Sequence, residues 1–284
     1  MNSSSLRRNL SLIYYAVFAK KTAKAGLVII LCFVALMIFG PLLDHISPSK
    51  STSQQDSPPS LAHPFGTDFL GRDELAQLIW GSYPSIFISV SAAFGAVILG
   101  LIIGVIAGYY RRLEPLFTGS ADIILTFPAI PFLVLIGSLF VVSDPLIVLL
   151  LILVLWAPTA RTIRSAVLSV KERSFVEAAK TSGMSNWQVI RRVIIPQVTP
   201  IAVAYFVIVV AISIVLATSL EFLGIGNPNE ITWGSMLYWA QLYAFFSGSW
   251  WAIVVPGISV SLVAAGFALI GFSVEEISDP RLRI

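Results

Sequence analysis

The side chains whose types best suit chemistry are gathered between residues 44 and 73: His45, His63, Asp68 and Asp73, with Arg72 among them. Histidine with several aspartates is a metal-ligand set in kind. The spacing argues otherwise, because His63 has only His45 as a nearby histidine and the intervening Gly and Pro residues follow the pattern of turns. No Gly-Lys dipeptide occurs, so the chain has no G-x-x-x-x-G-K-[ST] loop to cradle phosphates. No Ser/His or metal constellation stands near an apolar stretch, which argues against a membrane-embedded enzyme. The expectation is a chain with no catalytic, cofactor-binding or metal residue of its own.

These side chains must be positioned by a membrane protein. Over 284 residues the composition is 57% hydrophobic and 12% charged, with a mean hydropathy of +0.88, which is too apolar for an ordinary soluble domain. Six stretches suit ~30 Å of hydrocarbon at 1.5 Å per helical residue: 26–43, 85–110, 123–142, 145–165, 199–220 and 251–273. The fourth is extended past Arg161, whose long side chain can reach the headgroups. Sixteen of the eighteen Lys and Arg residues fall on one side of this arrangement, leaving Lys50 and Arg72 on the other. The bias predicts that both termini and the loop 166–198 are cytoplasmic. It also explains the net charge of +3 without any nucleic-acid partner.

The expected organisation is a cytoplasmic segment 1–25, a first transmembrane helix 26–43, an external loop 44–84, a five-helix core 85–273 and a cytoplasmic tail 274–284. In the first segment Leu6, Leu10, Ile13, Tyr14 and Phe18 have the spacing of an interfacial helix; for residues 1–8 a disordered basic tail is the alternative. The first apolar run begins too late and is too long for a signal peptide, and it is expected to remain as an anchor. Cys32 stands alone within it and carries no redox message.

Between the fourth and fifth spans, Glu177 to Pro196 form a polar, helix-patterned insert. Ser174 to Glu177 has the form of a capping box and Gly183 stands where a left-handed residue ends a helix, which predicts a helix near 175–182. A second box, Ser185 to Gln188, starts another helix that is expected to stop near Pro196. A helix of eight residues is too short to be stable alone and needs packing against something. Ala178 and Ala179 offer a nearly flat face for that. A docking element and an ordinary loop helix are both compatible with this spacing.

The spans carry further marks. Ala92, Ala96, Gly100, Gly104 and Gly108 recur every four residues, a stripe that suits close packing within the chain or against another subunit. Pro128 and Pro131 are expected to remove two intrahelical bonds and kink the third span, as a plain bend or as part of a pathway. Without titratable groups in the cores of the spans, proton-coupled transport lacks its usual equipment. A transporter that neither titrates nor binds nucleotide must take its drive from a partner.

The insert resembles the Glu-Ala-Ala loop of binding-protein-dependent ABC transporter permeases. Its glutamate, two alanines, glycine six positions after the glutamate and terminal proline stand here as Glu177, Ala178, Ala179, Gly183 and Pro196. His63 to Asp68 with Gly71, Arg72 and Asp73 is similar to the H-P-x-G-T-D-x-x-G-R-D signature of the dipeptide and oligopeptide branch. Phe222 to Gly226, Trp233 to Met236 and Asp279 to Arg283 resemble further signatures of that branch, so the resemblance covers about residues 20–284.

The chain departs from the branch where Ala268 to Phe272 and Glu275-Glu276 replace an Asn-Leu-Leu-Gly-Asp run and an Arg-Asp pair, which puts a carried-over contact of that tail with an ATPase in doubt. Glu221 replaces a commoner small polar residue; it faces the substrate path or sits in the headgroup layer. The aromatic residues Trp233, Tyr238, Trp239, Tyr243, Trp250 and Trp251 are expected in an interfacial belt, some of them also touching a binding protein.

The resemblance implies an all-α integral membrane protein with six transmembrane helices, the type I ABC importer permease (MetI-like) fold, in the cytoplasmic membrane of a prokaryote. It implies a second homologous permease subunit, two cytosolic ABC ATPase subunits that bind ATP and Mg, and an extracytoplasmic substrate-binding protein. Phe175, Glu177, Ala178, Ala179 and Gly183 would form the ATPase-coupling interface, Arg161 and Arg164 would steady the entry to the loop, and Pro128, Pro131 and Glu221 are candidates for the pathway. Cargo would be a dipeptide, an oligopeptide, an oligosaccharide or a nickel chelate. The rival reading is an ion-gradient carrier or passive channel whose polar loop binds a regulator.

Overall fold

Apolar segments in hydrocarbon must satisfy their own backbone groups, and a helix does this within one segment. The computed structural model describes residues 20–43, 47–140, 142–227 and 230–278. Its helices are α1 (Lys21–Leu43), α2 (Glu74–Tyr109), α3 (Glu114–Thr126), α4 (Ala129–Gly137), α5 (Asp144–Lys171), α6 (Ser174–Thr181) and α7 (Asn186–Val189). A π-helical turn, Ile190–Ile194, leads into α8 (Ile195–Phe222), followed by α9 (Trp233–Ser247) and α10 (Trp250–Ser278). Helices α1, α2, α5, α7 with α8, and α10 are each long and apolar enough to cross a bilayer, and α3 with α4 make a sixth unit bent by 87°. The expected interfacial helix around Leu6 to Phe18, His45 and the motif from Asp279 to Arg283 lie outside the described residues.

Three expectations need correction. Helix α2 begins at Glu74, so residues 74–84 are helix and not irregular loop; Asp73 starts the helix, its carboxylate accepting the Ala76 N–H at 2.9 Å. Pro128 and Pro131 bend the third span as expected, by 87°, but not by removing two intrahelical bonds. Pro128 is the extended N-cap of α4, and Pro131 lies in the first turn, where a backbone N–H would have no helical partner. Pro196 does not end the second loop helix. The chain widens into the π turn just before it, with Ile195 N–H reaching the Ile190 carbonyl, and this respaced backbone takes the proline into the start of α8.

The small-residue stripe packs α2 against α5. A Cβ at Gly100 would lie 2.6 Å from Thr159, one at Gly104 2.7 Å from the Ala160 carbonyl, and one at Gly108 2.8 Å from Val167. The stripe therefore serves intrachain packing, and Ala92, Ala96, Leu151, Ile163 and Val167 are wholly enclosed beside it. A second cluster centres on Trp233, which is fully buried, lies edge-on to Phe33 and donates its ring N–H to the Leu78 carbonyl at 3.1 Å. Trp233 is thus a core residue and not part of an interfacial belt.

Candidate functional site

The loop between α5 and α8 is built from local signals and one buried anchor. Ser174 is the first residue of α6 and not its cap; Arg173 occupies the cap position with no side-chain bond, so the first predicted capping box does not form. The other end is as expected. Gly183 has φ +83°, its N–H reaches the Lys180 carbonyl at 3.0 Å, and Met184 N–H reaches Ala179 at 3.2 Å. That pair of bonds is a Schellman motif. At Ser185 the capping box is complete, with the hydroxyl accepting Gln188 N–H and the Gln188 side chain accepting Ser185 N–H.

Val176 is the wholly buried residue of α6 and roots the helix in the main core. Phe175, Glu177 and Ala178 face outward, whereas Ala179 packs partly against the core. The two alanines therefore do not form one flat face: Ala178 belongs to the exposed side and Ala179 to the seam. Trp187 of α7 is exposed as well, at 65%, and Phe175 at 40%. Trp187 was not singled out from the sequence, although a tryptophan directly after a cap box in a polar insert is such a signal.

Arg161 and Arg164 stand on α5 before the loop, but their ion-pair partners lie on α3. Arg161 Nη2 is 2.5 Å from Asp122 Oδ1, and Arg164 pairs with Glu114. The four side chains line a cavity of about 300 Å³ between α2, α3 and α5. The two ion pairs join α5 to α3.

The pathway candidates differ in exposure. Pro128 and Pro131 mark the break and are exposed. Glu221 is 5% exposed and accepts the Thr232 hydroxyl at 2.7 Å, at the N-terminus of α9, where a carboxylate is favoured. It is enclosed within the chain and ties α8 to α9.

The residues first considered for metal chemistry form a structural cap. His63 Nδ1 lies 2.6 Å from Asp73 Oδ2. The Asp68 carboxylate accepts Leu70 N–H, Arg72 N–H, Arg72 Nε–H and Gln77 Nε2–H at 2.9, 2.8, 2.7 and 3.1 Å. Each aspartate is thus engaged in holding a turn or a helix start.

Comparison with known proteins agrees with this geometry. The family model described as binding-protein-dependent transport system inner membrane component matches residues 96–284. A dipeptide transport system permease protein of Alkalihalophilus pseudofirmus is 33% identical over 266 residues, covering 93% of this chain and 87% of that protein. A putative peptide transport system permease protein of Brucella suis biovar 1 is 31% identical over 267 residues, covering 93% and 90%. The solved methionine ABC transporter MetNI, in inward-facing conformations, superposes with a TM-score of 0.54 at 18% identity, over 70% of this chain and 96% of that one, and so shares the fold. A polar helix rooted by Val176 among six apolar spanning units is the architecture of an importer's membrane subunit, and this chain belongs to the family of binding-protein-dependent transport system inner membrane components, as a permease subunit of an ATP-driven ABC importer.

Proposed function

We propose that this permease subunit carries peptides, pairing with a second homologous permease around a shared pathway and docking two cytosolic ABC ATPases through α6 and α7. The exposure of Phe175, Glu177, Ala178 and Trp187 on a loop anchored in the core is the observation that carries the reading. It places apolar surface on a polar insert that Val176, with Ala179 partly buried beside it, roots in the main core. The names of the relatives support peptide cargo.

In this mechanism no residue of the chain performs chemistry. ATP and Mg bind in the ATPases; their closure draws the docked helices together and turns the spans from inward to outward access, and hydrolysis resets them. An extracytoplasmic binding protein delivers cargo at the opposite face. Both termini and the docking loop are cytoplasmic, a reading that the distribution of Lys and Arg supports. Arg161 and Arg164 keep α3 and α5 together during the motion.

The test is uptake by proteoliposomes that contain the full assembly. Uptake of a labelled di- or oligopeptide should require ATP and the binding protein and should survive collapse of ion gradients. Uptake driven by a gradient without ATP would establish the carrier reading instead. Ligand screening of the binding protein with peptides, oligosaccharides and nickel chelates decides the cargo.

A further inference from the structure

Tyr109, the last residue of α2, is 5% exposed although it lies where that helix meets the loop. Its hydroxyl donates to Asn186 Oδ1 at 2.8 Å. Its backbone carbonyl, one of the last four that a helix leaves without an internal partner, accepts Lys171 Nζ at 2.6 Å. The ammonium groups of Lys171 and Lys180 lie 5.5 and 5.4 Å from its ring centroid, within cation–π range. Lys171 ends α5, Lys180 belongs to α6, and Asn186 opens α7. One buried side chain therefore touches all three helices that frame the docking turn.

From this convergence we infer that Tyr109 is a positioning residue for transport, the clamp through which displacement of α6 and α7 is passed into α2. The inference rests on the docking reading above. Val176 and Val189 root α6 and α7 in one apolar core, and the Tyr109 hydroxyl adds a directional bond to the start of α7. The ring also holds two like charges that would otherwise repel at the junction. From there the motion has a stiff route. Helix α2 is 36 residues long and locked to α5 by the glycine stripe. Near its far end Ser85 accepts the Trp233 N–H at 2.9 Å, so α2 meets α9 directly. Movement at the cytosolic loop thereby reaches the external end without passing through the broken span.

The experiment measures ATP hydrolysis and peptide uptake together in the reconstituted full assembly, with ATPase retention on the purified permease pair as a separate readout. Tyr109→Phe keeps the ring and the backbone bond and removes only the link to α7. It should lower uptake per ATP roughly fivefold, the usual worth of one net hydrogen bond, and leave ATPase retention unchanged. Asn186→Ala should give the same loss, the double variant should be no worse than either single one, and Asn186→Asp, which keeps an acceptor, should restore coupling.

Unchanged uptake per ATP in both single variants overturns the inference, as does a loss of uptake that only follows a loss of bound ATPase. If the wild-type permease fails to retain the ATPase at all, the docking reading fails, and that outcome is distinct from either of these.

Discussion

The indole N–H of Trp251 donates to the backbone carbonyl of Thr67 at 3.0 Å, so the first turn of the last spanning helix holds the loop between the first two. Gly66 is what lets the ring in. Its φ is +80°, and a Cβ there would stand 2.7 Å from the Trp251 nitrogen. The Thr67 to Asp73 bridge and the Asp73 cap then pass this fixation to the start of α2. The histidine-aspartate motif is thus a clasp between distant helices, and its polar residues are consumed in closing it.

Asp68→Asn tests the clasp. The carboxylate accepts four N–H groups, and an amide would turn its own donors toward some of them. The expected cost is about 3 kcal/mol, from the loss of charge-assisted bonds and from buried donors left unmatched. Thermal unfolding of the detergent-purified chain measures it, and a midpoint equal to wild type would count against the clasp.

The α2–α5 seam predicts a position-specific effect of bulk. Gly104→Val meets the Ala160 carbonyl and Ile163 at once and should destabilise by about 1–3 kcal/mol through overpacking. Gly119→Val on α3 meets nothing within 4 Å and should be close to neutral in the isolated chain. Equal midpoints for the two variants would contradict the seam.

Gly183 predicts an effect of conformation instead. Nothing lies within 4 Å of a Cβ there, so space is not the constraint; φ at +83° is. Gly183→Val should strain the turn by about 1–2 kcal/mol and weaken ATPase capture on the order of tenfold. Gly183→Asn, which tolerates the left-handed region, should stay near wild type. Titration of the ATPase onto the immobilised permease pair gives both numbers, and identical affinities for Val and Asn would refute the backbone argument.

The loop before α9 should loosen as pH rises. The Glu230 carboxyl is pushed up to about 7, first by the hydrogen bond it shares with Asp144, then by burial and by the Asp144 charge. A group whose value is raised in the closed loop favours closure most below its ordinary value of 4.5 and loses that advantage as pH rises through about 7. Amide exchange of residues 223–227 and 230–232 should be slowest near pH 5, after correction for intrinsic rates, and faster at pH 8. In Glu230→Gln the slope should shrink; a slope of the opposite sign in the native chain would exclude this cause.

By itself the sequence determined the class of the protein, its six spanning units and the helix-glycine-helix loop. Hydropathy over twenty residues, Gly183 and the Ser185 box act locally, and local physics decides them. The stripe from Ala92 to Gly108 likewise announced a close helix contact, though not its partner.

Only the tertiary structure decided that α5 is that partner, that Glu221 and Trp233 are buried, that Arg161 and Arg164 pair across to α3, and that Tyr109 joins three helices. Each of these joins residues brought together by packing: 39 and 50 positions separate the arginines from their partners, and 77 separate Tyr109 from Asn186. The misread ends have the same origin. Pro196 reads locally as a helix stop, but burial of α8 against the core keeps the helix running, and the π turn absorbs the conflict. Periodicity along a chain reports which face is apolar; what that face meets is set by the packed whole.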